Sequence, residues 1–117
     1  MRMHNILMVG FSPDINIKVG GYSTIHHTPF QKEEGGLSPK EYELLCKKIV
    51  KQTSIVILNL DKKHLTFDES FLVIYAYTKN TPIVGVGEKI RDNLLDVVLT
   101  NKFDFLQDAI KHIKNNY

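Results

Sequence analysis

Four side chains that could carry out acid–base or nucleophilic chemistry lie close together in the middle of the chain. Asp61 follows the apolar run SIVILNL, and Thr66, Asp68 and Glu69 begin the segment TFDESFLVIYAY. A carboxylate at the amino end of a helix is kept ionised by the helix dipole and by free backbone N–H groups. Such a group is a competent nucleophile toward an electrophilic sugar carbon, and a second carboxylate can act as an acid or accept a sugar hydroxyl.

Each of these residues also has a purely structural interpretation. Thr66 and Glu69 have the spacing of a capping box, in which the threonine caps a helix and the glutamate bonds back to the cap. Asp68 would lie in the first helical turn, where acidic residues are favoured by the dipole alone. Asp61 could be a solvated turn residue at the end of a strand. The two interpretations of Glu69 are geometrically compatible.

The pattern around these residues predicts a strand, a helix and a second strand. Residues 54–60 and 82–86 are β-branched and aliphatic runs of strand length, and residues 67–79 between them have helical length. Two buried parallel strands joined by a helix form a right-handed crossover, and ligands of such sheets bind beyond the carboxyl ends of the strands. Asp61, Thr66, Asp68 and Glu69 are expected at that edge.

Similar alternation continues on both sides of this unit. Ser38, Pro39 and Glu41 predict a capped helix that ends near Lys51, and Asn101 or Asp104 can cap a closing helix. Further predicted elements are strands over 5–9, 22–28 and 96–99, a short helix over 15–19, a substrate loop over 28–36 and a polar loop over 88–94. The pattern predicts an α/β fold, a flavodoxin-like doubly wound parallel sheet of about five strands with helices on both faces.

The composition fits a single soluble domain over residues 1–117. The formal charge of +2 comes from 15 basic and 13 acidic residues spread along the chain, so no basic stripe indicates nucleic-acid binding. No apolar run reaches the roughly 20 residues of a membrane helix, and the amino terminus does not fit a signal peptide. We therefore expect a cytoplasmic protein with no nucleic-acid or membrane partner.

Other residues that can do chemistry have simpler interpretations. Cys46 is the single cysteine, and its helical spacing makes it a buried packing residue. His26 and His27 are adjacent and would point to opposite faces of a strand, so we expect no metal site and no cofactor. Gly85 and Gly87 form a GxG after a strand and could approach a phosphate, but the full GxGxxG pattern is absent.

With these motifs in place, the segment from 55 to 86 resembles the nucleoside 2-deoxyribosyltransferase superfamily, which includes the 2′-deoxynucleoside 5′-monophosphate N-glycosidases. The resemblance is carried by VILNLD, TFDE, a helix containing YAY, and PIVGV. NILMVG followed by Phe11 and Ser12 looks like the family's opening strand and glycine turn. Leu65 stands where the family has glycine, and an alternative alignment on YAY and Pro82 places Leu72 at the nucleophile position.

The resemblance implies a function and a set of roles. Glu69 would attack C1′ of the deoxyribose to form a glycosyl-enzyme intermediate, and Asp61 would hold the sugar hydroxyls or protonate the base. Water or a second base would then accept the sugar, which gives a hydrolase or a transferase acting on a nucleoside or nucleotide. The residues expected to bind substrate are Gly10, Phe11, Ser12, Thr66, Asp68, Gly87 and Tyr117.

Two other functions are compatible with the same architecture. One is a catalytically inactive nucleotide- or nucleotide-sugar-binding protein that keeps the pocket. The other is a phosphoacceptor receiver domain, which requires an acidic pair after the first strand where Gly10, Phe11 and Ser12 stand. The helix FLVIYAY is apolar on nearly every face, so we also expect a homodimer or larger homo-oligomer that buries it.

Overall fold

A computed structural model describes residues 4–12, 14–15, 17–26, 38–61, 67–87 and 97–116 of the chain. Five parallel strands form one sheet in the order β2-β1-β3-β4-β5. This confirms the predicted α/β fold with a doubly wound parallel sheet. In chain order the elements bounded within the described residues are β1 (His4–Val9), β2 (Tyr22–His26), α1 (Pro39–Lys51), β3 (Ile55–Asn59), α2 (Phe67–Thr78), β4 (Ile83–Val86), β5 (Asn101–Phe103) and α3 (Leu106–Asn116).

Helices cover both faces of the sheet because the central strands are apolar on both faces. Along β1, Leu7 and Val9 pack with residues of α1 and α2, whereas Ile6 and Met8 pack with residues of α3. Strand β3 divides between the same two clusters. Cys46 of α1 is 2% exposed within the first cluster, which confirms that it is a buried packing residue. None of the helices in the described part of the chain is both long and apolar enough to cross a membrane.

Helix α1 begins as the sequence predicts. Ser38 has an extended backbone, and its hydroxyl accepts the backbone N–H of Glu41 at 3.2 Å. The Glu41 carboxylate accepts the backbone N–H of Ser38, also at 3.2 Å, which completes the capping box. The helix ends at Lys51, where the sequence pattern places its end.

The short helix predicted over 15–19 is wrong for the residues described there. Ile15, Ile17, Lys18 and Val19 lie outside any helix. Ile17 and Val19 are buried against the α3 face of the sheet, and Lys18 between them is exposed. A period of two is the pattern of an extended segment, so burial of alternate residues decided the conformation here.

The last strand is also displaced from its predicted position over 96–99. Val97 and Val98 are helical, and the strand that pairs with β4 is Asn101–Phe103. All three residues of β5 are only partly buried because this strand lies at the edge of the sheet. An edge strand does not need an apolar run, and the sequence pattern of DVVL was therefore misleading. Since Asn101 belongs to β5, it does not cap α3.

Candidate functional site

The strand order identifies one place on the sheet where a ligand site is expected. The second strand of the chain, β2, lies on one side of β1. The later strands β3, β4 and β5 follow one another on the other side of β1. The switch point of this doubly wound sheet therefore lies between β1 and β3, at their carboxyl ends. Gly10, Phe11 and Ser12 follow β1 there, and Asp61 follows β3. The topology thus places these four sequence-predicted site residues at one edge of the sheet.

The turn after β1 is fixed by local bonds. Gly10 has a φ of 85°, a left-handed conformation that favours glycine. The Ser12 hydroxyl donates to the Asp14 carboxylate at 3.3 Å, and the Ser12 carbonyl accepts the N–H of Ile15 at 3.0 Å. Phe11 packs with the cluster on the α3 face. Ser12 itself is exposed, so this turn presents a hydroxyl at the edge of the switch point.

Asn59 connects the two strands at this point, although sequence reasoning did not select it. Its side-chain N–H donates to the carbonyl of Gly10 at 2.9 Å, and its side-chain oxygen accepts the backbone N–H of Asp61 at 3.0 Å. One amide group therefore holds both the turn after β1 and the residue after β3. The sequence feature that could have identified Asn59 is a polar residue at the end of an apolar run. The residues IVIL before it are all buried.

Asp61 is exposed, and its carboxylate lies against Gly87 at the end of β4. A Cβ at position 87 would come within 2.8 Å of the Asp61 Oδ1 atom, so the absence of a side chain leaves room for the carboxylate. Gly87 also has a φ of 144°, and its N–H donates to the Phe103 carbonyl at 2.9 Å. The predicted site residues Asp61 and Gly87 are thus direct neighbours. At Gly85 the space is taken by Leu60 and Leu99, whose methyl carbons lie 2.9 Å from a would-be Cβ.

Glu69 lies in the first turn of α2 and is only 1% exposed. Helix α2 follows β3 and precedes the parallel strand β4, so its amino end lies at the edge where the strands end. Among the described residues, Glu69 is the one charged side chain that is fully buried, and it takes part in an electrostatic or hydrogen-bonding interaction. Leu72, the alternative of the second alignment, is 0% exposed within the apolar cluster on the α1 and α2 face.

Several predicted site residues have no described position. Thr66, Tyr117 and the substrate loop over 28–36 lie outside the described residues, as does His27. Asp68 lies in the first turn of α2, and its side chain is outside the described part of the structure. Within the described ranges, no three His, Cys, Asp or Glu side chains come together as a metal site. His26 Nε2 lies 2.6 Å from the carbonyl of Ile15.

The fold resembles that of a solved protein. The described chain is similar to a crystal structure of a conserved protein from Enterococcus faecalis V583, with a TM-score of 0.65 and 13% sequence identity. The likeness covers 98% of this chain and 99% of that one. No family model and no curated protein matches this chain. At this identity the likeness shows the α/β fold alone.

Proposed function

We propose that this protein cleaves or exchanges the N-glycosidic bond of a 2′-deoxynucleoside or deoxynucleotide. The observation that carries the proposal is the burial of Glu69 in the first turn of a helix whose amino end lies at the edge where the strands end, the edge at which ligands of such sheets bind. A carboxylate is costly to bury unless neighbouring groups compensate it, and such residues concentrate at functional sites. The fully buried Glu69 and the exposed Asp61 give the two different carboxylate environments that a two-step reaction needs.

In the proposed reaction, a carboxylate oxygen of Glu69 attacks C1′ of the deoxyribose. The bond between C1′ and the base nitrogen breaks, and its electron pair leaves with the base, which takes a proton from an acid. Asp61 supplies that proton or accepts the sugar hydroxyls. In the second step, water or the nitrogen of another base attacks C1′, the bond between C1′ and the Glu69 oxygen breaks, and the acid that gave up its proton in the first step takes the proton of the attacking group. Hydrolysis and base exchange therefore differ only in the acceptor.

The second candidate is a nucleotide- or nucleotide-sugar-binding protein that performs no chemistry. The same burial supports it, because a carboxylate that is 1% exposed and already engaged in an interaction presents little surface to a sugar carbon. The site at the switch point would then bind the ligand through the exposed Ser12 and the carboxylate of Asp61. Leu65, which stands where the family that this chain resembles has glycine, favours this second candidate.

A homo-oligomer and a cytoplasmic location belong to the same proposal. On α2, Ile74 and Tyr77 are 48% and 47% exposed. Val97, which precedes β5 in the chain, is 65% exposed. Large apolar side chains on an exposed helix face support its burial against a second copy. Sedimentation equilibrium checks this, and Ile74→Lys is expected to shift the protein toward monomer. A wild-type protein that sediments as a monomer contradicts it.

The experiment is incubation of the protein with deoxynucleosides and their 5′-monophosphates, with and without a second free base, followed by chromatography of the bases. Glu69→Gln is expected to lower the rate at least about 100-fold, since it removes the nucleophile. The matched control is Asp108→Asn, which removes a first-turn acidic residue of α3 instead. Intact-mass spectrometry is expected to detect a deoxyribosyl adduct on the wild type and none on Glu69→Gln.

Three outcomes separate the candidates. Unchanged turnover in Glu69→Gln contradicts the assignment of the nucleophile. Absence of released or exchanged base, together with calorimetric binding of a deoxynucleotide, favours the binding protein. If neither turnover nor binding is detected with any of these compounds, both candidates are wrong.

A further inference from the structure

A cavity lies at the opposite edge of the sheet from Asp61 and Gly87. It has a volume of about 690 Å³ and lies between the carboxyl ends of α1 and α2, beside the residues that lead into β3 and β4. The lining residues are Lys47, Lys48, Val50, Lys51, Thr53, Tyr75, Lys79 and Thr81. We call this cavity the lysine groove. Its volume falls within the roughly 300–1,000 Å³ of small-molecule sites.

The lysine groove is strongly basic. Of the eight described residues that line it, half are lysines and none is acidic. Lys48, Lys51 and Lys79 are exposed, and within the described residues none of the three belongs to an ion pair. Lys47 is the exception, because its Nζ atom lies 2.7 Å from the Glu43 carboxylate. Three ammonium groups with no acidic partner among the described residues therefore line one cavity, on a protein whose whole formal charge is +2.

Tyr75 organises two of these lysines. The Nζ atoms of Lys47 and Lys79 lie 5.7 Å and 5.5 Å from the centre of its ring, which is within range of a cation–π interaction. Phe71 stacks on the same ring with a centroid separation of 6.1 Å. The ring thus brings lysines from two helices together, and its surroundings are already occupied by cations and by Phe71. This arrangement favours an anionic ligand over a base that stacks on Tyr75.

Favourable interaction of lysine with a helix carboxyl end explains only part of the arrangement. Lys48 and Lys51 lie in the last turn of α1 and complement its dipole. Lys79 follows the last residue of α2, and Lys47 reaches the ring of Tyr75 on that neighbouring helix. Dipole complementation does not require lysines of two helices to line one cavity. The repulsion between lysines that are held close together is offset most effectively by a ligand with several negative charges.

We propose that the lysine groove binds the polyphosphate group of a small molecule, either a free tripolyphosphate or the phosphate tail of a nucleotide. Lysine is a point charge that suits phosphate oxygens, and several lysines in one cavity match several phosphates. The hydroxyl of Thr53 donates to the Ile49 carbonyl at 2.8 Å, so the cations provide the main attraction. This site is independent of the proposed reaction at Glu69, because it lies at the other edge of the sheet.

The test is titration calorimetry of the full chain with tripolyphosphate and with ATP at low and at moderate salt. We expect binding at low salt that weakens as the salt concentration rises, as for other charge-driven contacts. The double variant Lys51→Gln/Lys79→Gln is expected to weaken binding about tenfold, through the loss of two ammonium contacts. Glu43→Gln is expected to tighten binding a few-fold, since it frees Lys47 from its ion pair.

The matched control is Lys111→Gln/Lys114→Gln, which removes the same charge from exposed lysines on α3. Affinity within twofold of the wild type is expected for this control. Equal affinities for tripolyphosphate and ATP indicate that the phosphates alone are recognised, and tighter binding of ATP indicates a nucleotide. No binding of either compound at low salt, or equal losses in the two double variants, overturns the proposal. So does much tighter binding of a single-stranded oligonucleotide through Lys51 and Lys79.

Discussion

The carboxylate of Asp61 occupies the space that a side chain on Gly87 would fill. A Cβ at position 87 would lie 2.8 Å from Oδ1 and 2.9 Å from Cγ of Asp61. These two residues end neighbouring parallel strands, β3 and β4, and both were selected from the sequence as site residues. Their contact means that the position of the exposed carboxylate depends on a glycine in the next strand.

We therefore predict that Gly87→Ala displaces Asp61 and lowers the free energy of unfolding by about 2 kcal/mol or more, from backbone strain at positive φ and from the clash. Urea denaturation measures the change. Gly21→Ala is the control, since Gly21 has a φ of 83° and no atom within 4 Å of a would-be Cβ. Equal destabilisation by the two variants would show that the contact with Asp61 contributes nothing.

Asn59→Ala is predicted to disorganise the switch point. It removes the bonds to the Gly10 carbonyl and to the Asp61 N–H, and we expect a loss of about 1–3 kcal/mol in the free energy of unfolding. Asn59→Asp keeps the acceptor for Asp61 but places an oxygen against the Gly10 carbonyl, so a similar loss is expected. Urea denaturation checks both, with the exposed Asn115→Ala as control. Full stability of Asn59→Ala contradicts the bridging role.

Ser38→Ala is predicted to destabilise the protein by about 1 kcal/mol, because it removes the cap of α1 and leaves the Glu41 N–H without its acceptor. The thermal unfolding midpoint and the urea midpoint both measure this. Ser23→Ala, at an exposed position of β2, is expected to change stability by less than about 0.5 kcal/mol. Glu41→Gln should retain most of the stability, since glutamine also completes a capping box.

The ion pair between Glu43 and Lys47 is predicted to make a small, pH-dependent contribution to stability. The hydrogen bond from Lys47, and then its charge, hold the pKa of Glu43 below its ordinary value of 4.5. The same hydrogen bond and the charge of Glu43 raise the pKa of Lys47 above 10.5. The contribution of Glu43 is thus present above its unfolded pKa and is lost as the pH falls through the lower folded one.

For Lys47 the sign is opposite, since its contribution is present below 10.5 and is lost as the pH rises through the raised pKa. The difference in thermal midpoint between the wild type and Glu43→Gln should therefore be largest near neutral pH and shrink as the pH falls through the lowered pKa of Glu43. Both side chains are more than 40% exposed, so the difference is small and should shrink in high salt. A difference that stays the same from neutral pH down to a pH at which the carboxylates are protonated would rule out this assignment.

The central part of the fold could be predicted because the residues there are buried on every side. Strands β3 and β4 have continuous apolar runs, and α1 has an unambiguous cap at Ser38. The edges could not be predicted in the same way. Strand β5 is short and half-buried. In the segment around Ile17, alternate residues are buried, whereas the sequence pattern predicts a helix there. At an edge, tertiary contacts decide the conformation more than local propensity does.

In the candidate site, too, some residues could be predicted from the sequence and others could not. A carboxylate after a strand and a glutamate in the first turn of a helix can be identified from local patterns, as for Asp61 and Glu69. The role of Asn59 depends on a bond to Gly10, which is 49 residues away, and no local pattern contains that information. The lysine groove was missed for the same reason, because Lys51 ends α1, Lys79 follows α2, and the two line one cavity only in the folded chain.

The position of β1 inside the sheet, between β2 and β3, has a consequence for how the chain is made. Its residues 6–9 pair with residues 55–58. This inner strand is therefore synthesised before its pairing partner β3, which lies about half a chain length downstream. Pairings of such long sequence separation are slow to form. A nascent chain that ends before residue 55 therefore carries the apolar strand Ile6–Val9 with one of its two neighbours missing, and an unpaired apolar strand edge favours aggregation.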